Sequence, residues 1–289
     1  MPGTPRPAAL ARSRRALRAW FEPRREAYPW RRSRDPYRVL VSELMLQQTQ
    51  APRVVPAYAA FLRRFPDVRS LARASRREVL LAWDGLGYNR RAVALSEAAR
   101  TIVRDHAGRV PADLPTLRDL PGVGPYTAAA VASIAYSVPV AAIDTNVRRI
   151  VGRVFDGDDD ATPARVRELA DSWLDPHDPG SWNEALMDLG REVCRPQPRC
   201  EICPLRRSCE FVAAGARPTS PRRRQGPFEG SFRQVRGAVV RALRARDAAS
   251  LEELTAITGL GAERVAEAVR RLTAEGLLET RRSGVRLSR

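Results

Sequence analysis

The chain has 289 residues, with 50 basic against 33 acidic side chains and a formal net charge of +17. That length allows one large domain or two to three small ones with real cores, and no apolar run reaches the roughly 20 residues a membrane span needs. The basic, alanine-rich N-terminus lacks the apolar core of a signal peptide, so the expected location is cytoplasmic and nucleoid-associated. The excess charge suggests a polyanion, most simply nucleic acid; the competing source is a codon bias favouring arginine and alanine.

Helical periodicity dominates as far as about residue 212, with no alternating strand pattern. Residues 8–22 read as an amphipathic helix and Tyr28-Pro29-Trp30-Arg31 as a loop with two aromatics. Asp35-Pro36 starts a helix expected to reach about Gln50, with Pro52 as its end or a kink. Glu43 lies in that helix, within one turn of Val39, Leu40 and Leu46. Two readings fit it: a glutamate at the edge of a core stripe, or a carboxyl whose apolar surroundings raise its pKa towards that of a general acid. Further helices are expected near 53–65, 76–84 and 90–106, separated by Phe65-Pro66-Asp67 and Gly85-Leu86-Gly87.

Leu120-Pro121-Gly122-Val123-Gly124 lies between helical segments. Gly122 and Gly124 let the backbone turn tightly and approach a ligand, and the helix that follows presents free N–H groups to a phosphate. This is a helix-hairpin-helix pattern, a sequence-independent grip on a DNA backbone; a plain inter-helix turn has the same glycines. Helices also fit 126–136, 145–154, 163–174 and 182–194. Asp144 follows an apolar run and precedes Thr145-Asn146. It is a natural N-cap, and a cap position also keeps a carboxylate fixed and ionised for chemistry.

All four cysteines fall in one segment, Cys194-x5-Cys200-x2-Cys203-x5-Cys209. Four thiolates so close can hold one cubane cluster or one zinc, and a pair of disulfides is a third option. Residues 213–227 read as a basic Pro/Arg linker. The tail, 228–289, offers three helices (231–244, one opened by the capping box at Ser250, and 262–275) and two short extended pieces around Ser283-Gly284. That is the order of a winged helix, a fold used both for reading DNA with its third helix and for packing against protein.

A pair of carboxyls suits N-glycosidic cleavage. One protonates the departing base while the other stabilises the oxocarbenium-like sugar, once the nucleotide has been flipped from the stack. Gln47-Gln48-Thr49 and Leu86-Gly87-Tyr88 are candidates to fill the gap or hold the opposite base; an ordinary surface loop and helix end would have the same residues. The chain has no lysine, which removes the Schiff-base route of glycosylase-lyases apart from the N-terminal amine.

Together, Tyr28-Pro29-Trp30-Arg31, Ser42-Glu43-Leu44-Met45-Leu46-Gln47-Gln48-Thr49-Gln50, Gly85-Leu86-Gly87-Tyr88, Leu120 to Thr127, Asp144-Thr145-Asn146-Val147 and Met187-Asp188-Leu189-Gly190 resemble the MutY adenine-DNA glycosylases of the endonuclease III-like superfamily. The resemblance covers roughly residues 8–212 and implies a mainly α fold: a six-helix domain at about 34–140 and an iron–sulfur cluster domain built from the N-terminal helix and about 141–212. It implies a monomer acting on double-stranded DNA and excising adenine mispaired with 8-oxoguanine or guanine. Glu43 would protonate adenine, Asp144 would stabilise or transiently bond the sugar cation, and Tyr126 and Asn146 would support them. Trp30, Arg31 and Asp188 would line the adenine pocket. Gln48, Thr49, Leu86 and Tyr88 would read the duplex, Gly122 and Gly124 would grip it, and Cys194, Cys200, Cys203 and Cys209 would hold a [4Fe-4S] cluster. Tyr126 stands where related lyases have lysine, so a monofunctional enzyme is implied. A thymine or other mismatch glycosylase on the same scaffold, and an iron–sulfur winged-helix regulator, are the competing readings. Three departures stand out: the first cysteine gap is five residues rather than six; Thr145 replaces a common glycine; and where many members carry a Nudix-like domain the tail is short and reads as a winged helix, with no histidine after His177 for a histidine-containing recognition loop.

Overall fold

The computed structural model describes residues 7–25, 28–216, 226–281 and 283–288. Most of the expected basic linker, 217–225, lies outside them. The described residues are mainly helical, with a single two-stranded sheet, and no helix among them is long and apolar enough to cross a membrane. The chain divides into two compact units, one of Met1–Glu43, Val110–Asp119 and Val123–Arg222, the other of Leu44–Arg109, Leu120–Gly122 and Arg223–Arg289. The tail therefore belongs to the same unit as residues 44–109.

In the first unit, α1 (Pro7–Phe21) buries Leu10, Leu17 and Phe21 along one stripe. Three more helices share that core: α9 (Thr145–Val151), α10 (Pro163–Trp173) and α11 (Pro179–Glu192). Its centre is aromatic. Trp173 meets Phe155 and Trp182 edge-on at 5.0 and 5.1 Å, a favoured geometry, and its indole N–H donates to Ser13 Oγ at 2.8 Å. The small-residue helix α8 (Pro125–Tyr136) is buried continuously from Thr127 to Ile134 and packs on α11. Close approach depends on Gly180, where a Cβ would lie 2.9 Å from the Ile134 Cα. α7 (Leu114–Asp119) leads into the hairpin.

The helix α2 (Pro36–Leu46) is shorter than the sequence suggested. Gln48 turns the chain with a φ of +54°, and Pro52 stands in the first turn of the next helix rather than ending the previous one. Proline's missing N–H costs nothing at that position.

In the second unit, α3 (Ala51–Arg64), α4 (Val68–Arg73), α5 (Arg76–Ala82) and α6 (Arg90–Asp105) form a helical layer. α4, which periodicity missed, is only six residues long and starts on an Asp67 capping box. α6 buries Leu95, Ala98, Ala99 and Ile102, and Trp83 packs edge-on to Phe61 at 5.9 Å. The tail of this unit comprises α13 (Phe232–Arg244), α14 (Leu251–Thr258), α15 (Ala262–Ala274) and the antiparallel strands β1 (Leu278–Arg281) and β2 (Gly284–Leu287), with α12 (Glu210–Ala213) belonging to the first unit. Ala249 adds a bridge to Val285 on the free edge of β2. Gly284 admits it: its φ is +112° and a Cβ there would lie 2.7 Å from the Ala249 carbonyl.

Candidate active site

Glu43 lies near the end of α2, and only 5% of it is exposed. Burial pushes its pKa up to about 7. Glu184 and Asp144 act in the same direction, while a hydrogen bond with Tyr126 and the charge of Arg31 oppose it. The Tyr126 hydroxyl, in the first turn of α8, also faces Met187 Sδ at 3.3 Å. A carboxyl so placed is half protonated near neutral pH, the condition for a general acid.

Asp144 is the N-cap of α9. Its Oδ1 accepts from the backbone N–H of Asn146 and Val147 at 2.8 and 2.7 Å, and its Oδ2 accepts from Asn146 Nδ2 at 2.8 Å. Capping and charge therefore coincide: the helix start holds the carboxylate in one orientation. Asn146 Oδ1 in turn accepts from Arg149, which also donates to the carbonyls of Cys194 and Gly190. Gly190 lets the two helices meet, since a Cβ there would lie 2.6 Å from the Asn146 Cβ.

Trp30 is buried and stacked on Tyr28 at 4.8 Å. Arg31 makes a two-pronged pair with Asp188 at 2.8 and 2.9 Å, and Arg191 reaches the same carboxylate at 2.7 Å. Asp188 is 1% exposed, so it anchors Arg31 rather than offering itself to a ligand. The carboxyl that sequence reading missed is Glu184, one turn earlier on α11. It is 5% exposed, with Oε1 3.7 Å from Arg31 Nε, and burial pushes it up to about 7. The Arg31 Nε has no hydrogen-bond partner. A glutamate amid Trp182, Ala185, Leu186 and Leu189 is a weak signal, legible only as a charge among apolar neighbours.

In the second unit, Gly122 has a φ of +79°, and a Cβ would come within 2.7 Å of the Ala94 Cβ. Gly124, which belongs to the first unit as the N-cap of α8, has an ordinary φ of −86° and open space where a Cβ would stand. Gln48, back in the second unit, is exposed, as is Tyr88, which holds a φ of +45°. Leu86 departs from expectation. Its side chain is 3% exposed and part of the core, so it cannot enter a duplex as placed. Thr49 is anchored rather than projecting, its hydroxyl accepting from Arg91 at 2.9 Å.

Arg91 is the second residue that motif reading missed. It donates to the carbonyls of Leu44, Met45 and Gln47 at 2.7, 2.9 and 2.5 Å and to those of Leu86 and Gly87 at 3.3 Å. One guanidinium thus ties the segment carrying Gln48 to the segment carrying Tyr88.

The four cysteines form no disulfide and line one small cavity with Arg153, Leu205 and Phe211. Among the described residues no three His, Cys, Asp or Glu side chains are arranged for a single metal ion. Four thiols around one cavity offer a donor set of the kind that holds a metal or a metal cluster. Arg153 donates to Cys194 Sγ at 3.7 Å, and its carbonyl accepts from the Cys209 thiol at 3.5 Å. It sits in a π-helical turn, Gly152–Asp156, so a cation and a distorted helix adjoin the thiols. Burial pushes the Cys203 thiol up to about 12, with the neighbouring cysteines adding to it.

Residues 41–176 match the family described as HhH-GPD superfamily base excision DNA repair protein. The adenine DNA glycosylase of Mycobacterium tuberculosis is 45% identical over 238 residues, covering 80% of this chain and 78% of that one. That of Mycolicibacterium smegmatis is 43% identical, covering 79% of each. Among solved structures, a thermostable thymine-DNA glycosylase superposes with a TM-score of 0.66 at 30% identity, over 72% of this chain and 99% of that one. An endonuclease III trapped covalently on DNA superposes with a TM-score of 0.61 over the same shares, and at 23% identity supports the fold alone. A helical hairpin scaffold, a buried carboxyl beside a capped one, and relatives of this closeness lead to one assignment: the chain belongs to the adenine DNA glycosylase family of base excision repair enzymes.

Proposed function

We propose that this protein hydrolyses the N-glycosidic bond of adenine mispaired with 8-oxoguanine or guanine in double-stranded DNA, without lyase activity. The observation that carries the reading is the Glu43 carboxyl, buried, raised to about 7 and bonded to Tyr126. In its protonated form it donates a proton to N7 of the flipped adenine. The C1′–N9 bond then breaks, its electron pair leaving with the base as neutral adenine. Asp144, held by the start of α9, stabilises the positive charge left on the sugar, by proximity or by a transient bond to C1′. Water adds at C1′, its proton returns to Glu43, and an abasic site remains. Arg31 and Glu184 present a cation and a carboxyl to the edge of the base, with Asp188 and Arg191 holding Arg31 in place.

Cys194, Cys200, Cys203 and Cys209 would hold a [4Fe-4S] cluster, whose part when bound is to support DNA binding. The cavity that all four line supports this assignment despite the short first gap. With no lysine in the chain, and with guanidinium groups that stay protonated, no side-chain amine is available for a Schiff base.

Single-turnover assays on A:8-oxoguanine, A:G, T:G and U:G duplexes test the assignment. Adenine release from the first two, with no product trapped covalently by borohydride, is expected. The likeness to a thymine-DNA glycosylase makes thymine release from T:G the informative contrary result.

A further inference from the structure

The tail meets the rest of its unit through arginines placed at helix ends. Arg77, at the start of α5, donates to the carbonyls of Leu243 and Arg246 at 3.5 and 3.3 Å and pairs with Asp247 at 3.1 Å. It thereby caps the C-terminus of α13, where carbonyls lack intrahelical partners. Arg76 donates at 2.8 Å to the Gly276 carbonyl, just beyond α15. In the opposite direction Arg244, the last residue of α13, pairs with Asp84 and donates to Asn89 Oδ1 at 3.4 Å. Asp84 and Asn89 are the two residues that flank the 85–88 loop. The Arg244 side chain is only 14% exposed.

That loop needs holding. Gly85, Gly87 and Tyr88 have φ of +76°, +66° and +45°, and for a tyrosine that conformation is strained. From inside, Arg91 binds the carbonyls of Leu86 and Gly87, and the Trp83 indole donates to Gly87 at 3.1 Å. From the tail, Arg244 fixes both ends.

The third helix of the tail is poorly equipped to read a groove. Glu267 takes hydrogen bonds from Arg270 at 2.5 Å and from Arg271 at 2.6 Å, and Arg271 also lies 4.9 Å over the Phe232 ring. Arg264 donates to the Gly230 carbonyl at 2.7 Å. The cations of α15 are thus engaged within the tail itself.

We propose that the tail, 226–288, is a brace for the 85–88 loop, with Arg244 as a positioning residue that holds Tyr88 ready to enter a mispaired duplex. The inference rests on the proposed role of Tyr88 as a reader of the duplex. It assigns the tail a part in discriminating damaged from matched DNA that needs no base contact of its own.

The test measures affinities for an A:8-oxoguanine duplex and for the matched duplex, using the full chain with Glu43→Gln to keep the DNA intact. Arg244→Ala is expected to lower the ratio of the two affinities by about fivefold, the weight of one half-exposed ion pair and one hydrogen bond. Matched-duplex affinity should stay unchanged, and Arg244→Lys should restore most of the ratio. Asp84→Asn breaks the same contact from the loop side and should act alike, with the double variant no worse than either single. It carries the test if Arg244→Ala melts early. Equal losses on both duplexes would make the tail an ordinary phosphate surface and overturn the brace, as would an unchanged ratio. Tyr88→Ala separates the two levels. If it lowers the ratio while Arg244→Ala does not, the brace alone fails; if it too leaves the ratio intact, the reading of Tyr88 fails and takes the brace with it.

Discussion

As the proposed general acid, Glu43 would link catalysis to pH in a direction that its surroundings dictate. A carboxyl raised to about 7 by burial is the acid below that pH and a spent base above it. The single-turnover rate of adenine release should therefore fall as pH rises through about 7. Glu43→Gln should abolish that limb along with at least ~10²-fold of the rate. A flat profile through this range would remove Glu43 as the acid. The same shift is a statement about stability. A group whose folded pKa lies above its unfolded value stabilises the fold below the unfolded pKa and loses that contribution as pH rises through the folded one. Burial raises both Glu43 and Glu184 to about 7, so the native state should weaken as pH rises between pH 5 and pH 8. Glu43→Gln should melt at a higher temperature than the parent at pH 8, and the difference should close at pH 5. Melting curves at the two pH values decide this; a variant less stable at pH 8 would contradict it. The proposed acid would thus be held against the stability of the fold, a common arrangement at active sites.

The two glycines of the hairpin belong to the scale of the element, and they predict opposite defects. Gly122 turns with a φ of +79° and faces Ala94 at 2.7 Å. Gly122→Ala should cost about 1–2 kcal/mol of stability from the left-handed conformation alone, with Ala94 adding to it. Gly124 has neither constraint, so Gly124→Ala should fold and lose only the advantage of glycine over alanine at an N-cap, about 0.5–1 kcal/mol. A drop in its affinity for any duplex, matched or not, would locate the close approach of a DNA backbone at that position; unchanged affinity would argue that the backbone does not approach there. At the same scale, α15 separates a reading helix from a braced one. Its arginines are already bonded to Glu267. Arg270→Ala with Arg271→Ala should leave the slope of log affinity against log salt unchanged, whereas a helix that neutralised two phosphates through them would show a slope flattened by about 1.8. A flattened slope would favour the DNA-reading use of this fold.

What the sequence made legible was local. Helix α8 announced itself through a glycine pair followed by small apolar residues, Asp144 through its cap position, and the tail's second helix through the Ser250 capping box. The mainly helical fold follows from such signals because each acts within a few residues. Arg91, Glu184 and Arg244 were illegible for the opposite reason. Arg91 matters through carbonyls 44 to 47 residues upstream, those of Gln47 and Leu44 among them, and Arg244 through residues 155 and 160 positions away. Nothing in their neighbours sets them apart from the other arginines of a chain that uses no lysine. Leu86 shows the same limit from the other side: it reads as part of a glycine-flanked loop, and packing places its side chain in the core.

The net charge of +17 is the property of the whole molecule, and it overstates what DNA can use. Many arginines are bound inward: Arg14 to the end of α10, Arg31 to Asp188, Arg91 to two loops, Arg149 and Arg153 to the carbonyls around Cys194. The tail carries only its proportional share, with twelve arginines against eight acidic residues in 226–289. Only cations that neutralise phosphates release counterions, each contributing about −0.9 to the slope of log affinity against log salt. Were the whole excess engaged with phosphates, the slope would approach about −15. With so much of it tied into the fold, a slope of about −4 to −7 is expected, corresponding to some five to eight phosphates. Binding titrations of the Glu43→Gln protein on a mismatched duplex between about 50 and 300 mM salt measure it. A slope near zero would remove the backbone grip from the account of binding. One approaching the upper bound would mean that the inward-bound arginines turn outward on DNA, and that the free fold is not the one that binds.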